Sequence, residues 1–219
     1  MTHTLSRRVA AEFIGTAFLL MAVVGSGIMA ERLSQGNIAL ALLANAIAAG
    51  AALLALILAF GSISGAHFNP VVTLMAAFFA SLNWKEVPAY SAAQFTGAFA
   101  GVAAAHAMFA LPLYSLSQHS RHGISIIFGE FVATFGLLLI IATTTRSNPT
   151  TTPYAVASYI TAAYWFTAST SFANPAVTLA RSVTDTFSGI RPNDVPSFLL
   201  AQFLGAFAST LLFQWIRKN

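Results

Sequence analysis

The sequence predicts an all-α membrane protein with six transmembrane helices and two re-entrant half-helices arranged as an inverted 3+3 repeat. Three observations carry that prediction. The first is composition: the 219-residue chain is 57% hydrophobic and only 7% charged, with a mean hydropathy of +0.75. An ordinary soluble protein is about 25% charged, and ten basic and six acidic residues cannot cover a soluble surface of this size. A soluble enzyme, a nucleic-acid binder and a disordered chain are therefore excluded. The second is a series of long apolar stretches, and the third is an internal duplication that carries two Asn-Pro pairs.

Six stretches approach the ~20 apolar residues a spanning helix needs: Val9–Ala30, Ile38–Phe60, Val87–Leu111, Ile124–Thr145, Tyr154–Thr170 and Val195–Ile216. Backbone groups must be satisfied inside the bilayer, so these read as helices. No alternating ten-residue pattern of a β-barrel is present. Arg7 and Arg8 precede an apolar run too long for a signal core, so Val9–Ala30 reads as a retained first helix. Six spans put both termini on one side. With that side cytoplasmic, Arg7, Arg8, Lys85, Arg146, Arg217 and Lys218 lie inside and Arg32, Arg121, Arg181 and Arg191 outside, which fits the positive-inside rule. The expected location is the plasma (inner) membrane. The net charge of +4 includes no basic run that could track a phosphate backbone. With no cysteine, thiol chemistry and cysteine metal sites are excluded.

Two apolar segments, Pro70–Ala80 and Pro175–Val183, are too short to span. As helices of about ten residues they rise roughly 15 Å, half of the ~30 Å hydrocarbon core. The duplication explains them. Glu12-Phe13…Thr16 matches Glu130-Phe131…Thr134, and Asn69-Pro70-Val71-Val72-Thr73-Leu74 matches Asn174-Pro175-Ala176-Val177-Thr178-Leu179. Ala93-Gln94-Phe95…Gly97-Ala98-Phe99-Ala100 matches Ala201-Gln202-Phe203…Gly205-Ala206-Phe207-Ala208. The expected organisation is one domain over residues 1–219, with repeats at about 6–111 and 123–217. Each repeat holds three spans and one half-helix. An odd span count inverts the second unit, so the two half-helices enter from opposite faces and their Asn-Pro ends meet near the midplane.

Asn is a favoured N-cap, since its side-chain oxygen accepts from the first free amides of a helix. Pro at the next position loses nothing, because its missing N–H would have no intrahelical partner. That leaves the amide NH2 groups of Asn69 and Asn174 as donors toward a passing oxygen. Each half-helix N-terminus also carries about half a positive charge, a barrier to protons and cations.

Ser64-Gly65-Ala66-His67-Phe68-Asn69-Pro70-Val71-Val72-Thr73 and Asn174-Pro175-Ala176 resemble the paired signature loops of the aquaporins, the major intrinsic protein family. The resemblance runs from Ala11-Glu12-Phe13-x-Gly15-Thr16 to the last span, with Val71 where Ala is usual. It implies a homotetramer with one pore per subunit, passing water or small neutral solutes without a cofactor. It also implies that Gly65, Ala66, His67, Phe172 and Ala173 line the pore through their loops. Glu12 and Glu130 become buried structural acids that bond loop amides, rather than the coupling carboxylates of a proton-driven transporter.

Family members narrow the outer mouth with four residues, one usually Arg, three positions after the second Asn. That position here is Val177. Ser171 precedes Asn174 by three, and counting through helices adds Ala49 or Gly50 and Ala162 or Ala163. Every candidate is small and uncharged. The pattern implies a wide mouth for polyols and metalloid hydroxides, and a similar Val-for-Arg pattern occurs in a bacterial subgroup linked to arsenic resistance. Arg181 lies one turn beyond Val177, either as a displaced filter at the vestibule or as an anchor to Asp185. His106, His119 and His122 do not suggest a metal cluster, and no catalytic constellation is present. The alternatives to a wide pore are a water-selective channel and a secondary transporter.

Overall fold

The computed structural model describes residues 3–218, and every described element is helical. Eight α-helices follow in order: α1 Leu5–Leu33, α2 Ile38–Ser64, α3 Pro70–Phe78, α4 Val87–Met108, α5 Ile124–Ser147, α6 Thr152–Phe166, α7 Pro175–Ala180 and α8 Val195–Ile216. Four stretches are long and apolar enough to cross a membrane by length and composition: Leu5–Leu33, Ile38–Ser64, Ile124–Ser147 and Pro192–Ile216. Helix α4 is long but more polar, and α6, with 15 residues, rises only about 22 Å. The predicted span at Tyr154–Thr170 is thus shortened at its end. The chain leaves the helix after Phe166, and Thr167 is extended. The remaining stretch up to Asn174 is loop.

Helix α1 packs on α4 and α2, and α5 packs on α8 and α6 in the corresponding way, while α2 against α6 joins the halves. Leu43, Ile47 and Leu58 on α2 and Phe128 on α5 remain exposed, as suits helices whose outer faces meet lipid. The half-helices start where the sequence places them and end earlier. Helix α3 stops at Phe78, and α7 stops at Ala180 before a tight 3-10 turn, Arg181–Val183.

Small residues set the closest contacts. A Cβ on Gly97 would stand 2.4 Å from the carbonyl oxygen of Phe13, and one on Gly205 would stand 2.6 Å from that of Phe131. These are the same contact in the two repeats, α4 on α1 and α8 on α5. Because backbone is the obstacle, rotamer change cannot relieve it. Gly97→Val is expected to destabilise the protein by about 3 kcal/mol, the upper end of overpacking costs, read as a lowered melting temperature in detergent. An unchanged melting temperature would contradict the close approach.

Candidate functional site

Both Asn-Pro pairs cap their helices as their chemistry dictates. Asn69 Oδ1 accepts from the Val71 amide at 3.1 Å, and Asn174 Oδ1 accepts from those of Ala176 and Val177 at 3.0 and 3.3 Å. Pro70 and Pro175 occupy the first helical positions. The two helix starts face each other. Asn69 Nδ2 donates to the Ala173 carbonyl at 2.8 Å, and Asn174 Nδ2 donates to the Phe68 carbonyl at 2.7 Å. This corrects the expectation that both amide NH2 groups are free: one hydrogen of each stitches the opposite loop, and one remains for the cavity that both residues line.

The loops before the half-helices are held in conformations that side chains rarely adopt. Ala66 and Phe68 have φ of 49° and 50°, and Ser171 and Ala173, their counterparts in the second repeat, have 51° and 49°. Such left-handed residues persist only where surroundings over-determine them. Two buried carboxylates do so. Glu12 accepts from the Ser64 hydroxyl (2.6 Å), the His67 and Phe68 amides (3.0 and 2.7 Å) and Gln94 Nε2 (2.8 Å). Glu130 accepts from the Phe172 amide (3.2 Å), the Ala173 amide and Gln202 Nε2 (3.3 Å). Each glutamine passes the network on: Gln94 bonds Thr73 at 2.9 Å, Gln202 bonds Thr178 at 2.7 Å, and each threonine bonds the carbonyl of its capping Asn. Every carboxylate oxygen has a donor, as buried charge requires.

A cavity of about 490 Å³ passes this junction. At one end it meets Thr145, Arg146 and Arg217, where α5 and α8 finish, and at the other Val23, Ala49 and Arg181. Gly65, Ala66, His67, Phe172 and Ala173 all line it. Pro70, Val71, Pro175 and Ala176 do not. They are buried behind the wall, Val71 and Ala176 at 1% and 0% exposure. The His67 ring packs on Tyr90 with centroids 5.4 Å apart, and its Nδ1 lies 3.1 Å from Thr73 Oγ1.

The four candidate filter positions divide. Ala49, Ser171 and Val177 line the cavity. Ala162 does not: it is exposed on the outer face of α6, and its neighbour Ala163 is buried in packing. The α6 residues on the cavity are Thr152, Val156, Ile160 and Tyr164, one helical stripe. Counting back from Asn174 missed them because the count crossed a non-helical loop containing left-handed Thr170 and Ser171. A count at i+4 from Val156 finds them.

The expectation of an uncharged mouth also changes. Arg181 is 2% exposed and lines the cavity. It does not anchor to Asp185, whose carboxylate accepts instead from the Gln118 amide at 2.8 Å. Arg181 Nε donates to the Ser188 carbonyl, and its guanidinium carbon sits 3.4 Å from the centre of the Phe172 ring. Arg121, from the segment between α4 and α5, approaches the same ring at 5.0 Å and donates to Gly189 O, Thr170 Oγ1 and Phe187 O. Burial pushes its guanidinium down to about 10, so it stays charged at neutral pH. Neither Arg121 nor Phe172 as a cation platform was foreseen, and both depend on chain segments far apart in sequence. Among the described residues no group of His, Asp and Glu could hold a metal ion.

Known proteins resemble this chain in sequence and in fold. The sequence profile of the family described as Major intrinsic protein (MIP) matches residues 1–171. The chain is 52% identical over 212 residues to aquaglyceroporin AqpS of Rhizobium meliloti (strain 1021), covering 97% of this chain and 91% of that protein. It is 32% identical to aquaporin NIP1-4 of Oryza sativa subsp. japonica, covering 99% and 79%. In fold it is similar to the X-ray structure of the aquaglyceroporin from Plasmodium falciparum, with a TM-score of 0.71 at 22% identity, covering 98% of this chain and 96% of that one.

Proposed function

The chain belongs to the major intrinsic protein family, and on that premise we propose that it is a wide pore for small uncharged hydroxylated solutes: water, glycerol and metalloid hydroxides such as arsenite, As(OH)3. It is an integral membrane channel and not an enzyme. One observation carries the solute reading: the position three residues past the second Asn holds Val177, which faces the cavity beside Ala49 and Ser171. A Val there leaves space and removes five donors and a fixed charge that an Arg would supply. The name of its relative, an aquaglyceroporin, supports the same class of solute.

The facing half-helix starts form one barrier to ions. Their aligned amides present positive potential to a cation, and the last free N–H of Asn69 and of Asn174 orients a solute oxygen rather than a proton chain. The assembly is a homotetramer in the plasma (inner) membrane with both termini in the cytoplasm. Glu12 and Glu130 are committed to loop amides, which leaves no carboxylate free for ion coupling in the membrane interior among the described residues.

Stopped-flow light scattering on proteoliposomes tests the reading. Water, glycerol and arsenite should all enter faster than in protein-free vesicles, without saturation and without response to a pH or Na⁺ gradient. Saturable, gradient-dependent entry would establish a transporter instead, and water entry alone a water-selective channel.

A further inference from the structure

We infer that Arg181, Tyr164 and Ser171 form a solute-docking site at the far end of the cavity, and that this site, rather than the Val177 position, carries the channel's charge selectivity. The inference rests on the channel reading above and assigns its charge to a side chain one turn away from the usual place.

Three polar groups there lack the partners that buried polar groups ordinarily have. Arg181 uses Nε on the Ser188 carbonyl, and its two terminal nitrogens have no protein partner among the described residues. The Tyr164 hydroxyl likewise has none, although the residue is 4% exposed and close enough to Arg181 to interact electrostatically. Ser171 Oγ is fully buried without a hydrogen-bond partner. All three residues line the same cavity. A single satisfied arginine would need no ligand, but a guanidinium fork and a phenol short of partners on one cavity, with the unpartnered hydroxyl of Ser171 buried in the same lining, form a set for a solute with several oxygens on one small frame. A trihydroxy metalloid or a polyol fits: the fork donates two parallel bonds to adjacent oxygens, and the hydroxyls both donate and accept.

The fork is held rigidly, as a selectivity element requires. Phe172 stacks under the guanidinium, and Ser188, whose carbonyl holds Nε, is itself bonded through Oγ to the Val23 carbonyl of α1 at 3.0 Å. The acids nearby are engaged elsewhere. Asp185 accepts from Gln118, Asp194 from the Arg121 amide and from Arg191, and Glu130 from its loop. The positive charge is therefore not cancelled by a carboxylate bonded to it, and a cation entering the cavity meets it directly.

The test separates charge from fork. Wild type, Arg181→Lys and Arg181→Met are compared in proteoliposomes for water, glycerol and arsenite entry, and in planar bilayers for Na⁺ conductance. The Lys variant keeps the charge but not the bidentate geometry. It should exclude Na⁺ like wild type while its glycerol-to-water and arsenite-to-water ratios fall by about tenfold. The Met variant should lose both, with the same fall in ratios and a measurable Na⁺ conductance. Tyr164→Phe, which keeps the ring, should lower the ratios by about threefold without Na⁺ leak. If both Arg181 variants lose water and glycerol in equal proportion, Arg181 is only a scaffold and the inference is overturned. Inhibition of wild-type glycerol entry by millimolar formate, absent in Arg181→Met, would also overturn it, since the fork would then hold an anion instead of the solute. Wild type without any flux above empty vesicles would defeat the channel reading itself, a distinct result.

Discussion

Val177→Arg should reduce glycerol and arsenite entry about tenfold or more while water entry changes far less. Val177 is 5% exposed and faces the cavity, so a long side chain there has only the solute path to occupy. Loss of one or two methylene widths in a passage discriminates by about ten- to two-hundredfold, and water is the solute least affected. The structure adds a second effect. The new side chain would leave the backbone one helical turn from Arg181, with Cβ atoms roughly 6 Å apart, and two unit charges brought to a similar distance repel by about 3 kcal/mol at an effective dielectric of about 20. The variant should therefore express less well or hold its two arginines splayed. Val177→Arg combined with Arg181→Met, which moves the charge back one turn, should recover stability while remaining restrictive to glycerol. Stopped-flow scattering and thermal stability in detergent read both effects. Unchanged glycerol and arsenite entry in the single variant would remove Val177 from the filter.

Glu130→Ala should cost several kcal/mol and abolish flux together with the fold of the second loop. The carboxylate accepts from the amides of Phe172 and Ala173 and from Gln202. Each buried donor left without a partner costs about 1–3 kcal/mol, in proteins whose total stability is only about 5–15 kcal/mol. The left-handed Ser171 and Ala173 would then be held only by the Ser171 amide on Ser169 Oγ at 3.2 Å and by Asn69 Nδ2 on the Ala173 carbonyl at 2.8 Å, among the described residues. Glu12→Ala strips four donors and should be at least as severe. Melting temperature and monodispersity in detergent measure the loss, and a wild-type melting temperature for Glu130→Ala would show that the loop is held by other means. The same geometry separates a structural acid from a coupling acid: a variant that stays folded yet loses only a pH-driven component of flux would reinstate the transporter.

The correspondence between the repeats explains why so much of this site was legible. Glu12 and Glu130, Gln94 and Gln202, Thr73 and Thr178, and Asn69 and Asn174 were visible as matched pairs before any coordinate, and the structure joins them into two copies of one hydrogen-bond network. Duplication makes long-range partners readable because each half repeats the other's spacing. Arg121, Phe172 and Tyr164 have no such support. Phe172 stands opposite His67 in the repeat alignment, and Tyr164 lies just before the point where α6 ends and helical counting fails.

Composition and spacing alone established bilayer residence, the inverted repeat, and the Asn-capped half-helices whose starts face each other. Those features depend on hydrophobic transfer and on hydrogen bonds within a few residues, and both are written locally along the chain. Which side chains turn into the cavity beyond that point was settled by packing. Ala162 fell to the outer face, Tyr164 to the inner one, and Arg181 was drawn to a carbonyl and a ring supplied by other segments. Left-handed loop residues break the helical phase, and a buried guanidinium goes wherever an acceptor and an aromatic face satisfy it. The place of Arg181 one turn past Val177 could be counted from the chain, but which of its two readings holds was decided only by the folded contacts with Ser188 and Phe172.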